Sequence, residues 1–505
     1  MKRWEIVLAI TGALVASISA SVIRSTELPH RDFLLTADGC HIPVTILEPR
    51  GTTLDAVLLL HGLSADRRIM ESLGSYLARQ AGLRAYLVDL PGHGDNTDAF
   101  SFWRADHCAW ILVESLARSG EIDPKRTILV GHSMGGALAI RVADREPVGG
   151  TIALSPAPMP LPKRMPANLL VFSAQFDLPV LHRAARVLAQ AAGGERTEAE
   201  DFRQARAFHL EITPLSDHTS LLADPRVFEQ ASDWIVSVLN GARRSQQDHS
   251  LSYRYRNLAP AIGLLGILLL FPFSATMTAK ITGPPPADSS PASPFAALAL
   301  AEGAACALAS VLILALWVPL SVLHLYTGDY LASLLWIAGS LLLVLNWKSA
   351  KQALRVNPLA WFAAALLGFI VLLGLGAWLN WQTADLWLNA PRWLRFAGIL
   401  PVALIFCFAE EVLLGPVGDR RLRVRRFALF LALRAELWLV CLFSYFELGS
   451  GQVLILILGV SLLVFSILQR LATDALRQRT GSATAAAVFG AILAAWFIAA
   501  IFPLT

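Results

Sequence analysis

The stretch Gly131-His132-Ser133-Met134-Gly135 decides the fold of the first half of this chain. An apolar, β-prone run precedes it at residues 126–130, and a helix-forming run follows at 136–143. A glycine two residues to either side of the serine permits a strand-to-helix turn that is too tight for side chains, and this turn pushes the serine hydroxyl into the open. The pattern therefore predicts a nucleophile elbow with Ser133 at its tip, and an ordinary strand-to-helix turn is the alternative.

An upstream segment provides the expected oxyanion hole. The buried-strand run Ala56-Val-Leu-Leu-Leu60 ends in His61-Gly62-Leu63-Ser64. The glycine lets the backbone turn so that the N–H of Leu63 can point at a developing oxyanion, and the N–H of Met134 is the second expected donor. We interpret His61 as a residue that shapes this loop, not as a base.

Two further runs end in the remaining groups of a catalytic triad. Asp177 follows the apolar run 168–176, and His218 follows the run 209–215. We expect His218 to take the Ser133 proton and Asp177 to hold the imidazole tautomer, since the chain order Ser, acid, His fits this arrangement. Asp217 is the alternative acid, although a residue adjacent to the base rarely faces it. We expect two other histidines, His182 and His209, to be structural.

At these residues the chain resembles the α/β-hydrolase superfamily, and most closely its serine aminopeptidase and monoacylglycerol-lipase-like branch. The segments that carry the resemblance are Leu60-His61-Gly62-Leu63, Asp89-Leu-Pro-Gly-His-Gly94, Gly131–Gly136, Asp177 and Ser216-Asp217-His218. The resemblance covers about residues 30–240 and implies an α/β-hydrolase fold with hydrolytic chemistry, mostly that of esterases and lipases. Only about ten residues, rich in proline, connect the strand run that ends at Ala157 to the strand that begins at Asn168. This connection is too short for a helical cap domain, so we expect none.

The composition shows that the chain is more than a soluble enzyme. Hydrophobic residues make up 55% and charged residues only 16%, and the mean hydropathy is +0.54. Such values indicate membrane spans, for which about 20 apolar residues suffice. We predict an all-α bundle of about eight spans, near residues 258–279, 296–322, 330–346, 358–379, 396–414, 427–446, 452–469 and 483–503.

The resulting domain plan has four parts. Residues 1–25 form an N-terminal signal anchor, with a cleavable signal peptide as the alternative. Residues 30–240 form the α/β domain, 241–257 a basic linker, and 258–505 the transmembrane bundle.

Charge patterning predicts the orientation. Basic residues cluster in alternate loops, and the loops between them are poor in basic residues; the clusters are Lys348, Lys351 and Arg355; Arg420, Arg421, Arg423, Arg425 and Arg426; and Arg470, Arg477 and Arg479. Positive loops stay in the cytoplasm, so we expect an integral protein of a bacterial inner membrane with the α/β domain outside the cytoplasm. The basic residues of 243–256 argue for the opposite orientation.

The remaining titratable and sulfur-containing residues limit the partners. Cys40 and Cys108 could pair if the domain is exported, which the sequence leaves open, and no cysteine pair has zinc-ligand spacing, so we expect no metal and no cofactor. The net charge of +4 favours no nucleic-acid partner, and the sequence does not specify an oligomeric state.

Charged residues inside the spans suggest a second role. Glu410, Glu411 and Arg434 lie in apolar surroundings, and we predict an ion pair between helices, with a transport path as an alternative. The paired glutamates faintly resemble the motif of CAAX-protease-like intramembrane peptidases, but the later spans lack the histidines that such catalysis needs.

The sequence thus predicts a membrane-anchored serine hydrolase. We expect it to cleave carboxylic esters of a lipid or acylated substrate through an acyl-Ser133 intermediate. The alternative is a membrane transporter or sensor whose outer domain binds a ligand without turnover.

Overall fold

A computed structural model describes residues 3–49, 53–193, 198–199, 201–241, 251–282, 296–316, 321–354 and 357–505. The chain divides into two compact units. The sheet unit comprises Ser17–Gly263, Trp378–Leu386 and Pro503–Thr505, and the helix unit comprises Met1–Ala16, Leu264–Ala377 and Trp387–Phe502.

The sheet unit is built on one sheet, in which the described strands have the order β1-β2-β4-β3-β5-β6-β7-β9-β8. The strands are β1 (His30–Ala37), β2 (Cys40–Leu47), β3 (Ala56–Leu60), β4 (Arg84–Val88), β5 (Thr127–His132), β6 (Gly150–Leu154), β7 (Leu169–Ala174), β8 (Glu198–Ala199) and β9 (Phe208–Thr213). The six strands β3 to β7 and β9 pair in parallel, while β1, β2 and β8 join antiparallel. Continuous apolar runs form the central strands because helices cover both faces of a parallel sheet.

Helices on both faces complete two apolar cores. They are α2 (Glu71–Ala81), α3 (Phe102–Arg118), α4 (Met134–Arg145), α5 (Pro179–Gly193) and α6 (Pro225–Asn240). Leu170 and Phe172 pack with α2 and α6 in one core, while Leu169 and Val171 pack with α4 and α5 in the other. This alternation follows from the two-residue period of a strand. The order of strands and helices confirms the predicted α/β architecture. No helix forms in residues 155–168, all of which are described, so this connection carries no cap.

Nine helices in the described parts of the chain are long and apolar enough to cross a membrane, at Arg3–Thr26, Leu258–Thr282, Ala296–Leu316, Gly328–Leu345, Pro358–Trp381, Ala390–Leu414, Arg420–Phe446, Gly459–Thr480 and Ala483–Ile501. They comprise α1 (Arg3–Thr26), α7 (Leu251–Leu269) with α8 (Phe271–Thr282), α9 (Ala296–Leu316), α10 (Gly328–Leu345), α12 (Pro358–Gln382), α13 (Ala390–Leu414), α14 (Arg420–Phe446), α16 (Gly459–Thr480) and α17 (Ala483–Ile501), and two short helices, α11 (Trp347–Ala353) and α15 (Val453–Ile457), lie between them. The number agrees with one anchor plus eight predicted spans.

Several boundaries differ from the expectation. Helix α14 begins at Arg420, not near residue 427, and the span predicted at 452–469 is replaced by α15 and the longer α16. Arg426, Arg470 and Arg477, which we assigned to cytoplasmic loops, therefore lie inside helices, where they are buried. They can remain there because carboxylates neutralise them. The predicted linker 241–257 falls partly outside the described residues, and its last seven residues belong to α7.

Candidate active site

Ser133 occupies a strained turn between β5 and α4. Its backbone has φ 53° and ψ −115°, a conformation that L-residues rarely adopt. A Cβ at Gly131 would lie 2.0 Å from the Gly135 oxygen, and a Cβ at Gly135 would lie 2.1 Å from the Leu60 oxygen. Both positions therefore need glycine, and the strain falls on the residue that we expect to react.

The expected acid and base meet at the carboxyl ends of β7 and β9. The Phe176 N–H donates to the Ser216 oxygen at 2.9 Å and draws the two loops together. His218 Nδ1 lies 3.0 Å from Asp177 Oδ1. Burial raises the pKa of Asp177, but the hydrogen bond and charge of His218 outweigh it and hold this pKa below its ordinary value. Asp177 is thus an ionised acceptor for the imidazole N–H.

Asp217 has another task. Its Oδ1 accepts the N–H groups of Thr219 and Ser220 at 2.9 and 2.7 Å, so it closes the turn next to His218. The other two histidines also have local partners. His182 lies 2.8 Å from the Ser173 hydroxyl, and His209 lies 3.2 Å from Glu211 Oε2.

The loop after β3 lies against the elbow. A Cβ at Gly62 would come within 2.9 Å of His132 Nδ1 and 3.2 Å of Ser133 Cβ, so the backbone leading to Leu63 touches the nucleophile's turn. The N–H of Met134 is one of the first four of α4, which have no carbonyl partner inside the helix. The loop after β3 and the start of α4 therefore both adjoin Ser133, and the role of the two N–H groups as oxyanion donors remains a prediction.

His61 shapes this loop from within. Its Nδ1–H donates to the Gly62 oxygen at 2.7 Å, which leaves Nε2 to accept the Leu90 N–H at 3.0 Å. Burial lowers the pKa of His61, in keeping with a neutral ring that has these two partners. The imidazole is thus occupied by backbone groups.

Two residues near the base were missed by the sequence reasoning. His132 Nε2–H donates to the His218 backbone oxygen at 2.8 Å, and the two rings are 4.7 Å apart. Burial and the neighbouring His218 lower the pKa of His132 to about 3, so it stays neutral while it holds the base. The Ser155 hydroxyl helps to lower the pKa of Asp177. His132 lies within the quoted motif, but only the fold shows which way it points, and Ser155 gives no sequence signal.

Comparison with known proteins identifies the family of this part of the chain. Residues 57–272 match the model of the alpha/beta hydrolase family. This part of the chain is a domain of the α/β-hydrolase superfamily, as the resemblance implied.

The curated relatives are esterases and similar enzymes. A pimeloyl-[acyl-carrier protein] methyl ester esterase of Nitrosospira multiformis is 35% identical over 91 residues, 18% of this chain and 34% of that protein. One of Yersinia pseudotuberculosis is 28% identical over 162 residues, 31% of this chain and 59% of that protein. A putative non-heme haloperoxidase of Mycobacterium phage D29 is 30% identical over 23% of this chain and 38% of that protein. The chain thus spans less than two thirds of each.

Among solved structures, an esterase of the hyperthermophilic archaeon Pyrobaculum calidifontis matches 46% of this chain and 91% of its own, at 16% identity and a TM-score of 0.34.

Proposed function

We propose that this protein is a membrane-anchored serine hydrolase that cleaves carboxylic esters through an acyl-Ser133 intermediate. The observation that carries the proposal is the strained Ser133 turn beside the hydrogen-bonded pair His218 and Asp177. A serine hydroxyl is a weak nucleophile at neutral pH and needs such a base.

The mechanism follows from these positions. His218 Nε2 takes the proton of Ser133 as its oxygen attacks the ester carbonyl, and Asp177 stabilises the imidazolium through Nδ1–H. The N–H groups of Leu63 and Met134 bind the oxyanion of the tetrahedral intermediate. His218 then gives the proton to the leaving alcohol, and water repeats the sequence to release the acid and free Ser133.

The surroundings of the site favour an acyl ester as substrate. Phe176 and Leu215, which are 62% and 80% exposed, lie on the two loops that carry Asp177 and His218. No helix of residues 155–168 covers them. Exposed apolar side chains next to a reactive centre suit an acyl chain, and two of the relatives are described as esterases of an acyl-carrier ester.

Labelling with a fluorophosphonate probe tests the chemistry. We expect the full-length protein to be labelled at Ser133 and to hydrolyse p-nitrophenyl butyrate. A transporter or sensor whose outer domain only binds a ligand would remain unlabelled and would show no turnover, and that result would overturn the proposal.

We further propose that the sheet unit faces away from the cytoplasm. Cys40 and Cys108 form a disulfide, the pairing that the sequence left open, and disulfides persist in oxidising compartments. The start of α14 also carries exposed arginines that support this orientation as cytoplasmic charges, namely Arg420, Arg421, Arg423 and Arg425. The buried Arg426, Arg470 and Arg477 do not bear on the orientation, because they pair inside the helix unit.

The segments that belong to the sheet unit are consistent with nine membrane crossings. Besides the α/β domain, this unit includes Trp378–Leu386, at the junction of α12 and α13, and Pro503–Thr505, after α17. If each of the nine candidate spans crosses once, the α/β domain, the α12–α13 junction and the C-terminal segment all lie on one side. A periplasm-active and a cytoplasm-active reporter, each fused after Asn240 and after Thr505, test this. We expect only the periplasm-active reporter to work at both places, and a cytoplasmic signal at either would contradict the topology.

A further inference from the structure

The loop that bears the expected oxyanion donor Leu63 is held at both ends by buried contacts. At its start, His61 bonds to Gly62 and Leu90, as described above. At its end, Asp66 caps the short helix Arg67–Met70 by accepting the Arg68 N–H at 2.8 Å. The same carboxylate has a second bond, which comes from far along the chain: the Asp385 N–H donates to Asp66 Oδ2 at 2.7 Å.

Asp385 belongs to the junction of the membrane helices α12 and α13. Within the sheet unit this junction is fixed at its other end too, because Trp381 Nε1–H donates to Glu27 Oε1 at 2.6 Å. Asp66 and Asp385 are 5% and 6% exposed, so their contact is shielded from water. Bonds of this kind contribute more when buried.

We propose that Asp385 is a positioning residue for the hydrolase: the junction between α12 and α13 holds the oxyanion loop in place through Asp66. The inference rests on the proposed function, since it assumes that the loop stabilises an oxyanion. It gives the membrane-helix part of the chain a direct means of setting the activity of the α/β domain, because a shift at this junction moves Asp66, three residues from Leu63.

The charges around this contact make it sensitive to pH. Asp89 and Asp95 lie beside Asp385, and one carboxylate oxygen from each of these three residues lies within 4.8 Å of the other two. Arg67 is the nearby cation; its guanidinium pairs with Asp89 and, at 2.7 Å, with Asp95. Three buried carboxyl groups, Asp66, Asp89 and Asp385, and the exposed Asp95 thus share one guanidinium, so ionised Asp66 and Asp385 repel each other.

Burial and these neighbours raise the pKa of Asp66 to about 7 and that of Asp385 to about 8. For Asp385, the folded protein binds more protons than the unfolded chain from its ordinary pKa of 3.8 up to about 8. Its contribution to the free energy of unfolding is therefore present at low pH and falls as pH rises across that window. We expect the contact to loosen above about pH 8, where the Asp385 carboxyl ionises beside Asp66.

The test compares kcat and KM of the full-length protein for p-nitrophenyl butyrate from pH 6 to 9.5. In the wild type we expect kcat to fall about tenfold above pH 8, with a smaller change in KM, because a displaced donor weakens transition-state binding selectively. Asp385→Asn keeps the N–H but cannot ionise, so the ratio of kcat at pH 9.5 to that at pH 7 should rise. Asp66→Asn replaces one of the two acceptor oxygens with an NH2 donor, so either the Arg68 or the Asp385 N–H loses its partner, and kcat should fall about tenfold at every pH.

Glu447→Gln removes an exposed acid outside these contacts and serves as the matched control, with a wild-type pH profile. An alkaline limb that is the same in wild type and Asp385→Asn would overturn the inference and leave the hydrolase proposal intact. An unlabelled Ser133 would overturn the hydrolase proposal itself.

Hydrogen exchange on a Ser133→Ala background gives a readout that needs no turnover. We expect the amides of residues 62–68 to exchange faster above pH 8 than in the same background with Asp385→Asn, at equal pH. Equal exchange would overturn the positional coupling, whatever the assays of activity show.

Discussion

Two buried clusters of charge, one beside Ser133 and one in the helix unit, use similar residue types for different ends. Beside Ser133 one carboxylate, Asp177, meets one imidazole, and Ser133 itself has a strained backbone. In the helix unit, Glu411 meets three arginines. The first arrangement leaves Nε2 of His218 to take up a proton. In the second, the carboxylate and the guanidinium groups form ion pairs with one another.

The helix cluster extends over three helices. Arg477 and Arg426 bond to Glu411 at 2.6 and 2.7 Å, and the Arg470 guanidinium also contacts it. The ion pair predicted between Glu410 and Arg434 is present at 2.6 Å. Asp474 Oδ1 forms ion pairs with the guanidinium groups of Arg426 and Arg470, each at 2.8 Å. Buried charge alone therefore does not indicate chemistry, since ion pairs that join three helices can serve helix packing.

The sharpest way to break the comparison is Ser133→Ala. We expect hydrolysis to drop by roughly three or more orders of magnitude and probe labelling to vanish, because the nucleophile is lost, while the folded state persists. Ser119→Ala, at the end of α3, is the control and should behave as wild type. Unchanged turnover in a folded Ser133→Ala protein would refute the assignment of the nucleophile.

Asp177→Asn separates the two candidate acids. The neutral amide lacks the negative charge that stabilises the imidazolium, and its NH2 group favours the wrong imidazole tautomer, so kcat should fall about 10³- to 10⁴-fold. Asp217→Asn is the matched control, since the Asp217 carboxylate accepts backbone N–H groups of the turn, and it should stay within about tenfold of wild type. Kinetics on ester substrates at pH 8 decide between them. If the Asp217 variant were the inactive one, the triad would need a different acid.

The positions of Ser133, Asp177 and His218 were easier to predict from the sequence than the helix cluster, for a physical reason. The elbow is local: two glycines, a serine and their flanks specify a turn, and each triad residue follows its own strand. The arginines that neutralise Glu411 come from 15, 59 and 66 residues away. A hydropathy profile places the end of a span at an arginine, because the profile contains no information about a carboxylate on another helix that could neutralise the charge.

The contact between Asp66 and Asp385 lies still further from sequence reasoning, because 319 residues separate the two. Neither residue belongs to a motif, and both sit where a loop of variable conformation would be expected. The proposed triad follows from the sequence of one superfamily domain, whereas this contact depends on a segment much later in the chain.

Glu411→Gln tests whether the helix cluster is structural. Neutralising one member leaves three buried arginines with less compensation, and we expect a loss of about 3–5 kcal/mol in the free energy of unfolding. The three free cysteines, Cys306, Cys407 and Cys441, are buried in the helix unit, so a thiol-reactive dye during heating reports on its unfolding. Glu447→Gln is again the control.

Labelling of Ser133 in the Glu411→Gln protein sharpens the comparison. Below the new unfolding temperature we expect the probe to label Ser133 at the wild-type rate, since the two clusters serve different ends. A Glu411→Gln protein that unfolds like wild type but no longer reacts with the probe would instead give the helix cluster a part in the chemistry.

The smallest expected effect concerns the covalent link in the sheet unit. The disulfide joins β2 to α3 across a sequence separation of 68 residues. Closing a loop of that size restricts the unfolded chain, so replacing both cysteines by serine should lower the free energy of unfolding by at most about 4 kcal/mol. Loss of Ser133 labelling after graded heating measures this, and reductant added to the wild type should reproduce the shift. Wild-type protein whose Cys40 and Cys108 react as free thiols after isolation from cells would contradict both the expected stabilisation and the outward orientation of the sheet unit.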